Sequence, residues 1–180
     1  KIKPACCLIM SLSQWRYQIL LEGMLGGALK MAGWRVLILT SKKYSNEQKT
    51  FGCFGLNEFI YLEDHDPLEK HESFLNFIEE KVLSCKSIDD FMRLHYKQIA
   101  VGVPILTGAL RGLKKTDGNY ADPAFQRLLR IDAMKTLVGS YVGEKVALEL
   151  SPRLILLNEA NYAFHGSFVD AAIGRGIEVI

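Results

Sequence analysis

The sequence predicts an α/β fold in which a parallel sheet is covered by helices on both faces. Five short runs of apolar residues are spread along the chain, and segments with apolar residues at every third or fourth position lie between them. Strands that are apolar throughout are typical of a sheet buried on both faces, and that is the usual setting of parallel strands. Apolar spacing of three and four residues is typical of amphipathic helices.

The strands follow from the apolar runs themselves. ACCLIM and RVLILT begin the series, EFIYLE comes next, and RLILLN and IEVI close it. These runs predict strands at 5–10, 35–40, 58–63, 153–158 and 177–180. Each run is short enough for a strand and is bounded by polar residues or glycine, which favours a strand over a buried helix.

The first helix is predicted between Trp15 and Ala32, and Gly33 is expected to end it. Its apolar positions are Tyr17, Leu20, Leu21, Met24, Leu25, Ala28, Leu29 and Ala32. The glycines at Gly26 and Gly27 lie inside this helix and indicate close packing on the sheet. They do not form the GxGxxG pattern of a dinucleotide site.

The middle of the chain, about 66–150, is predicted to be a helical insertion. Asp66-Pro67, Ser87 with Asp90, and Asp122-Pro123 each match a helix start. The segment 101–123 is rich in glycine and proline, and a broken helix followed by a loop is expected there. Near the end, Ser167 with Asp170 predicts the start of a helix over 168–173.

Composition restricts the class of protein. The 180 residues suffice for one α/β domain spanning 1–180, with 49% hydrophobic and 23% charged residues. The net charge of +2 gives no basic stripe for nucleic acid. The apolar runs are too short to span a membrane. The four cysteines are predicted to be buried thiols in a reducing cytoplasm, and neither a metal site nor a cofactor is expected.

The candidate site follows the fourth strand, in the stretch NEANYAFHGSF. Ligands of open parallel sheets bind outside the carboxyl ends of the strands. The segments 11–14, 41–45 and 158–166 are expected at that edge. Glu159 and His165 are the candidate catalytic residues, because either can accept a proton from a bound hydroxyl. Gly166 and Ser167 could hold an anion at the start of the next helix.

The other candidate substrate-binding residues are polar or aromatic side chains near the same edge. They are Ser11, Ser13, Arg16, Asn158 and Tyr162. Purely structural roles are open for all of these positions. Ser11 or Ser13 could cap the first helix, and Asn158 and Glu159 could cap a turn. The roles of Tyr162 and His165 could be limited to packing and to a hydrogen bond with the backbone. The basic stretch RGLKK could be a solvated face, or it could meet a phosphate group or a bilayer surface.

Three stretches resemble the N-terminal half of GT-B glycosyltransferases, of the type that builds bacterial capsule and other surface polysaccharides. They are LLEGMLGGALKMAGWRVLILTS, FGCFGLNEFIYLED and SPRLILLNEANYAFHGSFVDAAIGRGIEVI. The resemblance covers about a third to a half of the chain, and the last stretch is the most specific. It implies a Rossmann-like three-layer αβα sandwich with a mainly parallel sheet and a helical insertion.

The resemblance also implies a function. In such enzymes the N-terminal half binds a saccharide or lipid-linked acceptor, and a C-terminal half binds the nucleotide-sugar donor. This chain would then be the acceptor-side half of a two-domain transferase and inactive alone. It would act in the cytoplasm or at the inner face of the membrane, with peripheral membrane contact and without nucleic acid. His165 or Glu159 would be the base of an inverting enzyme, whereas a retaining enzyme would use them for binding only.

Two other classes of protein stay open. A sugar-nucleotide epimerase can have a similar half. A non-catalytic Rossmann or flavodoxin-like binding module would share the fold without the chemistry. A receiver-type module is disfavoured, because the first strand ends in SLSQ and not in an acidic cluster.

Overall fold

The computed structural model describes residues 4–180 and shows an α/β fold. Five of its strands are β1 (Cys6–Met10), β2 (Arg35–Thr40), β3 (Phe59–Tyr61), β6 (Leu154–Leu156) and β7 (Glu178–Val179). They form one parallel sheet in the order β3-β2-β1-β6-β7, flanked by helices and consistent with a Rossmann-like sandwich. All five predicted strands and their parallel pairing are confirmed.

Helices fill most of the remaining chain. They are α1 (Arg16–Met31), α2 (Ser45–Cys53), α3 (His71–Phe77), α4 (Ile88–Met92), α5 (Gly102–Leu113), α6 (Pro123–Leu150) and α7 (Ala163–Ile173). Short 3₁₀ turns lie at Leu62–His65 and Leu68–Lys70, and a π-helical turn over Ile78–Val82 continues α3. A hairpin of β4 (His95–Tyr96) and β5 (Ile99–Ala100) precedes α5.

The chain divides into two compact units. The first consists of the residues up to Asp66 together with Val146–Asn158 and Gly176–Ile180, and it holds the five-stranded sheet with α1 and α2. The second consists of Pro67–Lys145 and Glu159–Arg175, and it holds the small hairpin, α3 to α5, most of α6 and all of α7.

The core of the first unit lies between the sheet and α1. Cys7, Ile9, Val36 and Ile38 are buried there with Phe51 of α2. A Cβ atom built on Gly26 would come within 2.8 Å of the Ile9 side chain. The helix therefore needs glycine to approach the sheet so closely, as the sequence predicted for this position.

The core of the second unit is formed by its own helices. Its largest buried side chains include Phe74, Phe91 and Phe125. The helices α6 and α7 approach closely, since a Cβ on Gly139 would lie 2.4 Å from the Phe164 carbonyl oxygen. The helix starts predicted at Ser87 and Asp122 are confirmed: Ser87 Oγ accepts from the Asp90 N–H at 3.1 Å, and Asp122 Oδ1 from the Ala124 N–H at 2.9 Å.

Three predictions about helices are wrong. The segment expected to be broken contains the regular helix α5, because Pro104 lies in its first turn, where a backbone N–H has no partner within the helix. Asp66 does not cap the next helix, since α3 starts at His71 after a 3₁₀ turn. Finally, α7 begins at Ala163, so Ser167 does not mark its start.

The helix α1 is confirmed, but most of its apolar positions face outward. The buried residues are Ile19, Glu22, Gly23 and Gly26. The exposed large side chains on this helix are Tyr17, Leu20, Leu21, Met24, Leu25 and Met31. The apolar spacing therefore indicated a helix correctly without indicating which side of it the sheet covers.

Two further observations concern the described residues, 4–180. None of the helices there has the length and apolar character needed to cross a membrane. The cysteines are free thiols, of which Cys7 and Cys85 are buried. Cys53 is exposed and Cys6 is half-buried, so the prediction of burial for all four is wrong.

Candidate functional site

The strand order places a topological switch point between β1 and β6. The chain runs outward from β1 to β2 and β3 on one side, and to β6 and β7 on the other. Ile9 is paired with Leu156, so Ser11 and Asn158 follow neighbouring strands at one edge. Open α/β sheets bind ligands at this type of edge. The predicted placement of Ser11, Asn158 and the start of segment 41–45 at the carboxyl ends of strands is confirmed.

Two hydroxyl groups at this edge point toward α1. Side chains alternate along a strand, and both Ile9 and Ile38 belong to the core beneath α1. Ser11 and Thr40, two positions further along their strands, therefore face the same side. Both residues are 1% exposed, and neither hydroxyl oxygen has a hydrogen-bond partner within residues 4–180.

A buried carboxyl lies on the same side. Glu22 of α1 is 6% exposed, and its Oε1 accepts a 2.7 Å hydrogen bond from Gln18 Nε2. Burial raises the pKa of Glu22, although the nearby Ser11 hydroxyl and the Gln18 amide offset part of that rise. Glu22 Oε2 has no well-formed hydrogen bond in the described chain. The edge thus offers a carboxyl with a raised pKa beside the Ser11 hydroxyl, a pairing that suits a ligand hydroxyl better than an anion.

The remaining candidates in the first unit are more exposed. Ser13 Oγ accepts a 3.1 Å hydrogen bond from the Trp15 N–H, just ahead of α1, and this favours the structural role considered for Ser13. Arg16 is the first residue of α1 and lines a groove of about 510 Å³ with Asn46 and Thr50 of α2. Asn158 is exposed where β6 has ended.

In the second unit, Arg111 joins two of the candidate residues. Its Nη1 donates to Glu159 Oε1 at 2.8 Å, and its guanidinium carbon lies 4.4 Å from the centre of the Tyr162 ring. The Thr107 hydroxyl, one turn earlier on α5, lies 2.8 Å from the Asn161 carbonyl oxygen and shares its proton between that oxygen and the Val103 carbonyl oxygen, also at 2.8 Å. The segment after β6 is therefore held on α5 by one ion pair, one ring contact and one hydrogen bond.

His165 lies in the first turn of α7 and not in a loop. Its ring is half-buried and packs edge-on against Phe164. Burial lowers the pKa of His165; the negative charge of Glu159 raises it, and the positive charge of Arg111 lowers it further. Because an unperturbed histidine titrates near pH ~6.5, this imidazole is mainly neutral at pH ~7. A neutral imidazole can accept a proton.

The anion site expected at Gly166 and Ser167 is wrong. Both residues lie inside α7, where the Gly166 N–H already bonds the Tyr162 carbonyl oxygen at 3.1 Å. Ser167 Oγ donates to the Thr136 carbonyl oxygen at 2.6 Å. A Cβ on Gly166 would lie 2.9 Å from the Pro104 side chain. These two residues serve close packing of α7 against α5 and α6.

The predicted site residues fall into two groups. Ser11, Ser13, Arg16 and Asn158 belong to the first unit, whereas Glu159, Tyr162, His165, Gly166 and Ser167 belong to the second. The structure brings Glu159, Tyr162 and His165 together around Arg111. That both groups line one cleft stays a prediction.

Two buried residues of the site were missed at the sequence level. Glu22 is the single acidic residue of α1, and a lone acidic residue among mostly apolar ones is a pattern that could have revealed it. Thr40 ends β2, and a threonine at the end of an apolar run is an ordinary strand residue that does not indicate a site. Over residues 4–180, no three His, Cys, Asp or Glu side chains cluster as a metal centre requires.

The fold and these residues define the chain as an α/β protein with polar groups at the switch point of a parallel sheet. No protein-family model matches it, and the searches of curated proteins and of solved structures also found no match.

Proposed function

We propose that the chain is the acceptor-side domain of a glycosyltransferase that acts in polysaccharide biosynthesis. The sugar would pass from a nucleotide-sugar donor to a saccharide or lipid-linked acceptor. The observation that supports this best is His165, a mainly neutral imidazole near the Arg111–Glu159 ion pair. The segment that carries Glu159 follows directly after the carboxyl end of β6.

The chemistry of this cluster fits activation of a hydroxyl group. His165 would accept the proton of the attacking acceptor hydroxyl, and the Glu159 carboxylate would stabilise the imidazolium that forms. Arg111 holds Glu159 in place and limits how far that carboxylate raises the pKa of His165. A retaining transferase would use the same groups to bind the acceptor without removing a proton.

The first unit supports an uncharged, hydroxyl-bearing ligand. Ser11 and Thr40 offer hydroxyl groups, and burial raises the pKa of the Glu22 carboxyl beside them. Such groups can both donate and accept hydrogen bonds, as sugar hydroxyls do. The donor would bind mainly to a second domain, and a lipid-linked acceptor would place the protein at the cytoplasmic face of a membrane.

Acceptor binding by the 180-residue chain tests the proposal. Fragments of surface polysaccharides are titrated while the ring-proton NMR resonance of His165 is followed, with its assignment fixed by His165→Gln. We expect the resonance to shift on binding, and Glu159→Gln to weaken binding at least about 10-fold, since a hydrogen bond to a charged group is lost. Glu80→Gln, which changes an exposed carboxylate of the same unit, is the matched control.

The other outcomes separate the rival classes. Tight binding of a nucleotide sugar by this chain, with no response to saccharides, would favour the epimerase-like domain. A His165 resonance that shifts with neither saccharides nor nucleotide sugars would favour a binding module without this chemistry.

A further inference from the structure

The outward side of α1 is apolar along its whole length. We define the α1 outer face by its exposed residues Tyr17, Leu20, Leu21, Met24, Leu25, Ala28 and Met31. Tyr17 is 90% exposed and Met31 86%, and the other large side chains of the face range from 44% to 61%. Of the exposed charged residues of α1, Arg16 projects toward one flank and Lys30 lies on the side that faces the sheet, at about 100° of rotation per residue.

This arrangement inverts that of an ordinary surface helix. A surface helix turns its polar side to water and its apolar side to the core. Here the carboxyl of Glu22 is buried, while leucines and methionines are exposed. A contiguous apolar surface of this kind marks an interaction site, because monomeric soluble proteins rarely expose one larger than a few hundred Å².

The spacing along the face is that of a helix-pairing seam. Tyr17, Leu21, Met24, Ala28 and Met31 are separated alternately by four and three residues. An average repeat of about 3.5 residues keeps one line of side chains facing a partner helix over its full length. The small Ala28 lies in this line, and Gly27 beside it leaves room for a close approach.

We propose that the α1 outer face binds the same face of a second copy of the chain. The two α1 helices would pair antiparallel about a two-fold axis near Met24, so that Tyr17 of one copy meets Met31 of the other. The face contains no charged residue, so self-pairing buries no charge. A two-fold interface requires a self-complementary surface, and a uniformly apolar face meets that requirement.

The face is long enough to pair with a second helix along its whole length. Trp15, 74% exposed, extends the six large side chains of the face, and α1 is about 24 Å long. A membrane surface fits less well, because helices that lie in a bilayer interface carry a Lys- and Arg-rich polar side. The opposite side of α1 packs on the sheet, and Lys30 Nζ bonds the Gly55 carbonyl oxygen at 2.5 Å.

Sedimentation velocity over a range of concentrations tests the proposal on the 180-residue chain. We expect a dimer whose dissociation constant rises at least about 100-fold in Met24→Glu, because the new charge would be buried against its own copy. Met92→Glu is the matched control: Met92 is also a methionine, 60% exposed, but it lies on α4. Circular dichroism checks that each variant is folded.

A crosslinking experiment tests the geometry separately. In a Cys53→Ser background, which removes the exposed native thiol, Met24→Cys should form a disulfide-linked dimer under an added oxidant. Met31→Cys should crosslink more slowly, since the two copies of that position lie far apart in an antiparallel pair. Equal rates would reject the antiparallel arrangement.

Two results would overturn the proposal. One is a monomer at every concentration, or a dimer that Met24→Glu leaves unchanged. The other is a monomer that binds vesicles of anionic phospholipid and loses that binding in Met24→Glu. The second result would assign the face to a membrane.

Discussion

Arg111 holds Glu159 through a 2.8 Å ion pair that joins α5 to the segment after β6. Both side chains are partly exposed, so the pair contributes little to stability. Its larger effect is on a third residue, because the two charges act in opposite directions on His165. The pair therefore adjusts the proton affinity of the candidate base.

The first prediction concerns this adjustment. Arg111→Met should raise the pKa of His165, because it removes a positive charge and leaves Glu159 unopposed. Glu159→Gln should lower it, because it removes the negative charge. NMR titration of the His165 ring measures both shifts, and Lys114→Met is the control. Shifts in the same direction in both variants would mean that burial changes, and not charge, control His165.

A second prediction concerns turnover. In an assay that supplies a nucleotide sugar and an acceptor together with any donor-binding domain, His165→Gln should lower turnover by about 10²–10⁴-fold if His165 is the base. It should leave acceptor affinity nearly unchanged. Full activity in both His165→Gln and Glu159→Gln would mean that the segment is structural.

The third prediction concerns stability against pH. Burial in the folded chain raises the pKa of Glu22. Its contribution to the free energy of unfolding is therefore fully present below the unfolded pKa of about 4.3, and it is lost as pH rises through the folded pKa. Glu22→Gln cannot ionise and can still accept the Gln18 hydrogen bond. Urea unfolding should show it more stable than the native chain at pH ~8, by an amount on the order of 1 kcal/mol, with the difference shrinking toward pH ~4.

Glu149→Gln, an exposed carboxylate of α6, serves as control and should show no such trend. A Glu22→Gln variant that is less stable than the native chain at pH ~8 would show that the carboxylate is ionised and stabilising.

A fourth prediction compares two glycines inside helices. Gly139→Ala should destabilise the protein by roughly 1–3 kcal/mol, because the new methyl would lie 2.4 Å from the Phe164 carbonyl oxygen and would force α6 and α7 apart. Gly27→Ala meets its nearest atom at 3.5 Å and should stabilise α1 by about 0.5–1 kcal/mol. Thermal unfolding of both variants measures this. A Gly139→Ala variant as stable as the native chain would contradict the close packing.

The strands were predictable because a buried parallel strand forms a continuous apolar run, as residues 36–39 do within RVLILT, and few other structures produce such a short run. The start of α7 was not predictable from capping residues, because Tyr162 precedes it without a side-chain cap, while Ser167 and Asp170 imitate one inside the helix. Ser167 instead bonds the Thr136 carbonyl oxygen of α6, a long-range contact that no local pattern indicates.

The candidate site was predictable in part for a related reason. Ser11 and Asn158 follow buried strands, and topology places such residues at a sheet edge. The link of Glu159 and Tyr162 to Arg111 depends on how α5 lies against them, which the local sequence does not specify. Glu22 was missed because apolar spacing identifies a helix but not its covered side, and in α1 the covered side carries the carboxyl.

The pairing of β1 with β6 has a consequence for synthesis on the ribosome. Cys7 pairs with Leu154, so the central strand of the finished sheet waits until residue 154 has been synthesised before its second neighbour arrives. Until then β1, β2 and β3 can form only a partial ribbon with β1 at an open edge. Such an edge invites pairing with other nascent chains, and chaperones that shield edges would matter most during this interval.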